Sequence, residues 1–227
     1  MGSRKLIIAI DGPAGSGKSS TARALAKRMG LPYIDTGAMY RSLTLKAMEQ
    51  GVPFENISAL VDLSKKTDIR FEGTDPETQR VFLDGKDVTE AIRQPELTKN
   101  VFHVAQEALI RREMVKKQQT LGQKAGGVME GRDIGTMVFP DADFKFYFEA
   151  NPEIRAKRRQ KELLEAGKKA SLDTVAEDIK RRDDTDYNRK EGPLRQAKDA
   201  HVIDTSSLTI DETIDKILQV VESKSLP

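Results

Sequence analysis

The chain of 227 residues is long enough to bury a sizeable apolar core and to fill one or two domains. Charged residues make up 33% and hydrophobic residues 37%, but 38 Lys and Arg against 36 Asp and Glu leave only +2, which excludes the imbalance of disordered chains and argues against a dedicated nucleic-acid binder. The absence of Cys excludes disulfides and thiolate metal sites, the isolated His103 and His201 make a histidine metal cage a poor reading, and a reducing cytoplasm is the compartment that fits.

Leu6-Ile7-Ile8-Ala9-Ile10 is a β-branched run too short to cross a bilayer and suited to a strand buried on both faces of a parallel sheet. A helix follows directly, because Ala22, Leu25, Ala26 and Met29 recur at helical spacing and Gly30 with Pro32 stops it. Tyr33 and Ile34 make a short apolar pair before Asp35-Thr36-Gly37, and Tyr40, Leu43, Ala47 and Met48 mark a second helix. Between about 68 and 88 the period becomes two. There Ile69 and Phe71 alternate with Arg70 and Glu72, and Val81-Phe82-Leu83 runs into the hairpin dipeptide Asp84-Gly85, so a small antiparallel insertion is expected. One long helical tract is expected from about 95 to 125, closed by Gly126-Gly127.

Val128-Met129 and residues 144–148 read as further sheet strands. A basic helix with Arg155, Lys157, Arg158, Arg159 and Lys161 follows Asn151-Pro152, and another helix runs from near Asp173 at least through Arg182. His201-Val202-Ile203 is a last strand, and Thr209 with Glu212 forms the capping box of a final amphipathic helix. Alternating strands and helices predict an α/β fold. Met29, Met48 and Phe148 read as core, and both histidines as structural.

Gly12-Pro13-Ala14-Gly15-Ser16-Gly17-Lys18-Ser19 satisfies G-x-x-x-x-G-K-[ST] between a strand and a helix start, the setting in which this pattern cradles phosphates. Its glycines let backbone amides curl around phosphate oxygens, and the helix N-terminus adds partial positive charge. Lys18 reaches the β- and γ-phosphates, the Ser19 hydroxyl can ligate Mg²⁺, and Ser20 completes the candidate nucleotide-binding run. A P-loop specifies a nucleoside triphosphate but not the acceptor. A hydroxyl acceptor profits from a general base, whereas an acceptor phosphate already carries nucleophilic oxygens and needs its charge neutralised and its position fixed, a task for guanidinium groups.

Three clusters meet that need. Arg41 lies about one turn past Thr36-Gly37; Gly131-Arg132-Asp133 lies at the carboxyl end of an expected parallel strand, where open α/β sheets bind ligands. Arg182, Asp186 and Arg189 are spaced by four and three, which puts them on one helix face if that helix runs far enough. Each cluster also has an ordinary reading: Arg182 and Asp186 as a surface pair, Arg132 and Asp133 as a turn pair, Arg41 as a solvated helix residue.

Taken together, Asp11-Gly12-Pro13-Ala14-Gly15-Ser16-Gly17-Lys18, Asp35-Thr36-Gly37-Ala38-Met39-Tyr40-Arg41, Gly131-Arg132-Asp133-Ile134-Gly135-Thr136 and Arg182-Asp183-Asp184-Thr185-Asp186-Tyr187-Asn188-Arg189 resemble the bacterial cytidylate kinases, in order and spacing, over essentially the whole chain. The resemblance implies an enzyme that moves the γ-phosphoryl group of ATP, with Mg²⁺, to CMP or dCMP; a monomer in the cytoplasm is expected, with neither nucleic acid nor membrane as partner on the near-neutral charge and short apolar runs. It also implies a nucleoside monophosphate kinase fold: a core of about 1–62, 99–150 and 198–227, a monophosphate-binding insertion of about 63–98, and a lid with its following helix at about 151–197.

Carried over residue by residue, Arg41, Arg132 and Arg189 would hold the CMP phosphate, Arg182 and Asp186 the ribose, and Arg111 and Asp133 the cytosine edge, with Thr36 lining the same site. Lys18, Arg132, Arg155, Arg158 and Arg189 would act on the migrating phosphoryl group, the lid arginines closing over it. Cytosine offers an N4 donor to a carboxylate and ring acceptors to a guanidinium, a pattern that uracil reverses. Two positions depart from the family pattern: Phe102-His103-Val104-Ala105 stands where an S-x-V-A segment is common, and Glu130 where some members carry Asp. Rival readings are a P-loop kinase for another monophosphate or a small hydroxylated metabolite, and, from another class, a nucleotide-dependent RNA-binding switch. The switch should carry an N-K-x-D element, which the sequence lacks.

Overall fold

The computed structural model describes residues 5–73, 75–165 and 167–225. In chain order the elements are β1 (Ile7–Asp11), α1 (Lys18–Met29), β2 (Tyr33–Asp35), α2 (Thr36–Glu49), α3 (Ile57–Lys66), β3 (Ile69–Glu72), β4 (Arg80–Leu83), β5 (Lys86–Asp87), α4 (Pro95–Ala105), α5 (Ala108–Ala125), β6 (Gly127–Gly131), β7 (Phe144–Glu149), α6 (Pro152–Glu165), α7 (Leu172–Asn188), β8 (His201–Asp204) and α8 (Ile210–Ser225). Five strands form a parallel sheet in the order β2-β6-β1-β7-β8, and β3, β4 and β5 form a separate antiparallel sheet. The α/β expectation and the antiparallel insertion both hold.

All five residues of β1 are buried, as a central strand covered on both faces requires. One face of the sheet packs Ile8, Ile10, Phe146 and Phe148 against Leu25 of α1 and Ile217 of α8. The other face packs Ala9, Ile34 and Met129 beneath Ile134 and Phe139 of the segment that follows β6. Each fully buried aliphatic or aromatic side chain contributes about 1.5–3 kcal/mol relative to exposure. A second large cluster joins α2, α3, α4 and α5 to the small sheet through Leu43, Leu60, Ile69, Leu83 and Met114. Between α6 and α7 the buried apolar cluster among the described residues is Ala156, Val175 and Ile179.

Several sequence expectations are corrected. The tract 95–125 is two helices, because Glu107 adopts an extended ψ of 118° and the Arg111 guanidinium donates to the Ala105 carbonyl at 3.0 Å across the break. Helix α3 (Ile57–Lys66) stands where the sequence pattern predicts no element. Met48 is 38% exposed and is not core. The hairpin dipeptide does turn β4 into β5, with positive φ at both Asp84 (49°) and Gly85 (85°), as a tight two-residue turn demands.

Gly122 lets α5 approach Met129 of β6 and Phe139 of the segment after it. A Cβ there would stand 2.5 Å from Cζ of Phe139 and 3.1 Å from Sδ of Met129. Gly122→Val is expected to lower unfolding free energy by about 2 kcal/mol through overpacking, measured by urea denaturation; an unchanged midpoint would contradict the packing described.

Candidate active site

Register aligns the carboxyl ends of the strands: Asp11 lies beside Gly131 and Tyr147, Asp35 beside Glu130, and Glu149 beside Asp204. The loops that leave this one edge carry the P-loop, Thr36, Arg132 with Asp133, the start of α6, and Thr205. Asp11 accepts from the backbone amides of Ile134 at 2.8 Å and Gly135 at 2.7 Å, which ties the P-loop to the loop bearing Arg132 and Asp133. Burial raises Asp11 to about 7 against the lowering effect of those two amides. Gly12 has φ of +150°, and a Cβ on it would lie 2.4 Å from the Phe148 carbonyl oxygen, so the first P-loop position has no room for a side chain.

Lys18 is 4% exposed and folds back on its own loop, its Nζ donating to the Pro13 carbonyl at 2.7 Å and to Oγ of Ser16 at 3.4 Å. Burial, followed by the nearby charge of Arg132, pushes its pKa down to about 7. Ser19 donates through Oγ to Oε1 of Glu130 at 2.6 Å. Glu130 is itself buried in β6, next to the P-loop strand.

On the acceptor side, Thr36 donates to the Glu130 carbonyl at 2.7 Å, and Asp35 both caps α2 through the Ala38 amide at 2.8 Å and holds Arg41 at 2.7 Å. Asp186 accepts from Arg132 at 2.8 Å and from Arg189 at 3.1 Å. Asp133 accepts from Arg111 at 2.5 Å, and its other oxygen faces Arg189 at 3.6 Å. Two carboxylates thus gather Arg111, Arg132 and Arg189 into one cluster, with the Tyr40 ring 5.3 Å from the Arg111 guanidinium carbon. Although burial works against its charge, Arg132 has its pKa raised by Asp186 and Glu130, while burial and the like charge of Arg111 lower that of Arg189. Arg182, exposed on α7, has its pKa lowered by surrounding protein and by Arg159 and Arg132. The buried Tyr40 Oη, Arg41 Nε, Arg111 Nε and Arg189 Nη2 have no hydrogen-bond partner. Four unsatisfied polar atoms in such a region are the condition that a bound polar ligand relieves.

Some expected partnerships are replaced. Arg41 is paired with Asp35 at 2.7 Å. Arg189 is the C-cap of α7: its amide still donates to the Thr185 carbonyl at 3.1 Å, and its extended ψ ends the helix there. Arg155, expected in the lid, is 6% exposed and bonds Ala14, Ala150 and Asp183. Arg158 reaches Oγ1 of Thr205 at 3.2 Å, and that hydroxyl donates to the Ser16 carbonyl at 2.9 Å, so Arg158 does lie at the P-loop. Phe102 is 47% exposed and lies against His103, with ring centroids 3.8 Å apart, while His103 stacks on Phe54. A cavity of about 580 Å³ opens beside the P-loop, bounded by Pro13, Asn151, Arg155, Tyr187 and Ser206 among others. Sequence reasoning missed the placements of Asp11, Glu130 and Asp183; for the first two, a carboxylate at the end of a strand beside the P-loop was the available signal.

The four motifs therefore meet at one sheet edge. A family model described as cytidylate kinase matches residues 8–223. The chain belongs to the cytidylate kinase family. It is 49% identical over 222 residues to a cytidylate kinase of Bacillus subtilis (strain 168), spanning 98% of this chain and 99% of that protein. With a cytidylate kinase of Bacillus cereus (strain B4264) it shares 47% identity over 218 residues, 96% of each chain. Among solved structures, an uncharacterized protein from Eubacterium ventriosum ATCC 27560 has the same fold, with a TM-score of 0.55 at 15% identity over 97% of this chain and 99% of that one.

The buried ammonium has a thermodynamic signature. Lys18 sits at about 7 when folded and regains 10.5 on unfolding, so between those values the unfolded chain binds more protons and this group makes stability rise with pH. Asp11, raised to about 7 from 3.8, acts below that window. Lys18→Met should remove this rise and be more stable than wild type near pH 7, read from urea midpoints at pH 7 to 10; matching pH profiles would contradict the burial.

Proposed function

We propose that the chain transfers the γ-phosphoryl group of ATP to the phosphate of CMP or dCMP, giving ADP and CDP or dCDP. The observation that carries this reading is the cluster of Arg111, Arg132 and Arg189 on Asp133 and Asp186, with buried guanidinium nitrogens left unsatisfied beside a P-loop. An anion with a base attached supplies what those groups lack. Arg132 and Arg189 would grip the acceptor phosphate, with Arg41 contributing from α2. Arg111 and Asp133, which fix one another, would meet the cytosine edge. Asp186, with Arg182 one turn before it, would accept from a ribose hydroxyl.

The acceptor oxygen is already nucleophilic, so alignment and charge stabilisation suffice and no general base is required. The charge of a triphosphate would favour the ammonium form of Lys18, whose pKa burial lowers to about 7, and that ammonium would follow the β- and γ-oxygens. Arg158, at the P-loop through Thr205, adds positive charge on the opposite side. Packing of α6 and α7 over the loop keeps water from the reacting phosphate.

Among the described residues no group of three or more His, Asp or Glu could hold a metal by itself. The Ser19 hydroxyl and Glu130 carboxylate are hard oxygen donors, 2.6 Å apart, and fit Mg²⁺, which takes one or two protein oxygens together with phosphates and waters. Those two residues would hold it, and it would neutralise charge on the β- and γ-phosphates.

Coupled ADP release with CMP, dCMP, UMP and AMP tests the reading: CMP or dCMP should accelerate it most, and no acceleration by any of them would overturn it. Arg132→Ala should lower kcat/KM for CMP about 100-fold, the scale of losing one charge-stabilising donor. Unchanged turnover would remove Arg132 from the assigned role. Glu130→Gln should raise the Mg²⁺ concentration for half-maximal rate about tenfold, as loss of a supporting carboxylate does; an unaltered Mg²⁺ titration would rule out its part in holding the metal.

A further inference from the structure

Ala14 in the P-loop is gripped on both of its backbone polar groups. Its carbonyl accepts from Nη1 of Arg155 at 3.0 Å, and its amide donates to Oδ1 of Asp183 at 3.4 Å. Oδ2 of Asp183 accepts from the same Arg155 nitrogen at 2.5 Å. The two side chains are 8% and 10% exposed, so water competes little for the contact. Gly15 leans on the same arginine: a Cβ there would lie 3.1 Å from that of Arg155.

Three residues further along α7, about 4.5 Å at 1.5 Å per residue, Asp186 holds Arg132 and Arg189. Carboxylates on consecutive turns of one continuous 17-residue helix therefore hold opposite sides of the cleft. One is fastened to the loop that wraps triphosphate, the other to the guanidinium groups that face the acceptor. A helix moves as a rigid body more readily than it bends within one turn, so a shift imposed at Asp183 reaches Asp186.

We propose that Asp183 is a positioning residue that couples the two nucleotide sites. Filling the P-loop resets Ala14 and Gly15, Asp183 carries the displacement into α7, and Asp186 re-aims Arg132 and Arg189. This rests on the phosphoryl-transfer reading above and deepens it by assigning the link between the substrates. Linkage requires reciprocity: whatever factor a P-loop nucleotide imposes on CMP affinity, CMP imposes on that nucleotide.

Calorimetry on the full chain measures the CMP Kd alone and with saturating ADP, a pair that cannot react. Wild type should show a change of about fivefold or more, and Asp183→Asn a change below about twofold. A wild type with no change, or a folded Asp183→Asn that keeps the wild-type factor, would overturn the proposal. Arg155→Met, which removes the nitrogen that Ala14 and Asp183 share, should lose coupling likewise and serves if Asp183→Asn does not fold. Wild-type turnover with CMP is measured alongside. Turnover with coupling intact in the variants sinks this inference alone, whereas no turnover with any monophosphate sinks the functional reading itself.

Discussion

Positive charge confined to a cleft is the constraint around which the site is built. Arg111, Arg132, Arg189 and Lys18 are drawn together where solvent is scarce, and each would repel the others if left alone. Asp133 and Asp186 hold the guanidinium groups in place, while Lys18 has its pKa lowered to about 7 and lies on its own loop. The balance is incomplete, since several nitrogens lack partners. A site that crowds guanidinium groups around two carboxylates is suited to anions, and two nucleotides supply more negative charge than either carboxylate.

The sheet makes this crowding possible. Parallel strands present all their carboxyl ends at one edge, so residues far apart in sequence are brought there by register alone. Asp11 and Glu130 lie at the ends of adjacent strands and stitch the two substrate loops together, the first through amides of residues 134 and 135, the second through the hydroxyl of Ser19. The rigid part of the molecule is thus the part that must hold reacting groups in line.

The pair α6 and α7 is built differently. Among the described residues its buried apolar cluster has three members, against 15 in the cluster that joins α2–α5 to the small sheet, so contacts to the rest of the molecule rely on polar groups such as Arg155, Asp183 and Arg158. Polar contacts can be exchanged for ligand contacts at small net cost, whereas an apolar core cannot be opened so cheaply.

The amino-acid sequence alone determined the P-loop, its flanking strand and helix, the α/β class, the hairpin at Asp84-Gly85 and the motifs that carry Arg41, Arg132, Asp133 and Asp186, because periodicity, turn chemistry and motif spacing are local. It could not reveal the break at 106–107, where no Gly or Pro interrupts residues 96–121 and the cause is a guanidinium bound to the Ala105 carbonyl. Nor could it choose partners. Asp186 looked like the local mate of Arg182, yet it binds Arg132, 54 residues away, and Arg155, on a basic helix that reads as solvated, grips Ala14. Such choices are made by tertiary structure, since charged side chains take whichever opposite charge the assembled backbone places within reach and shields from water.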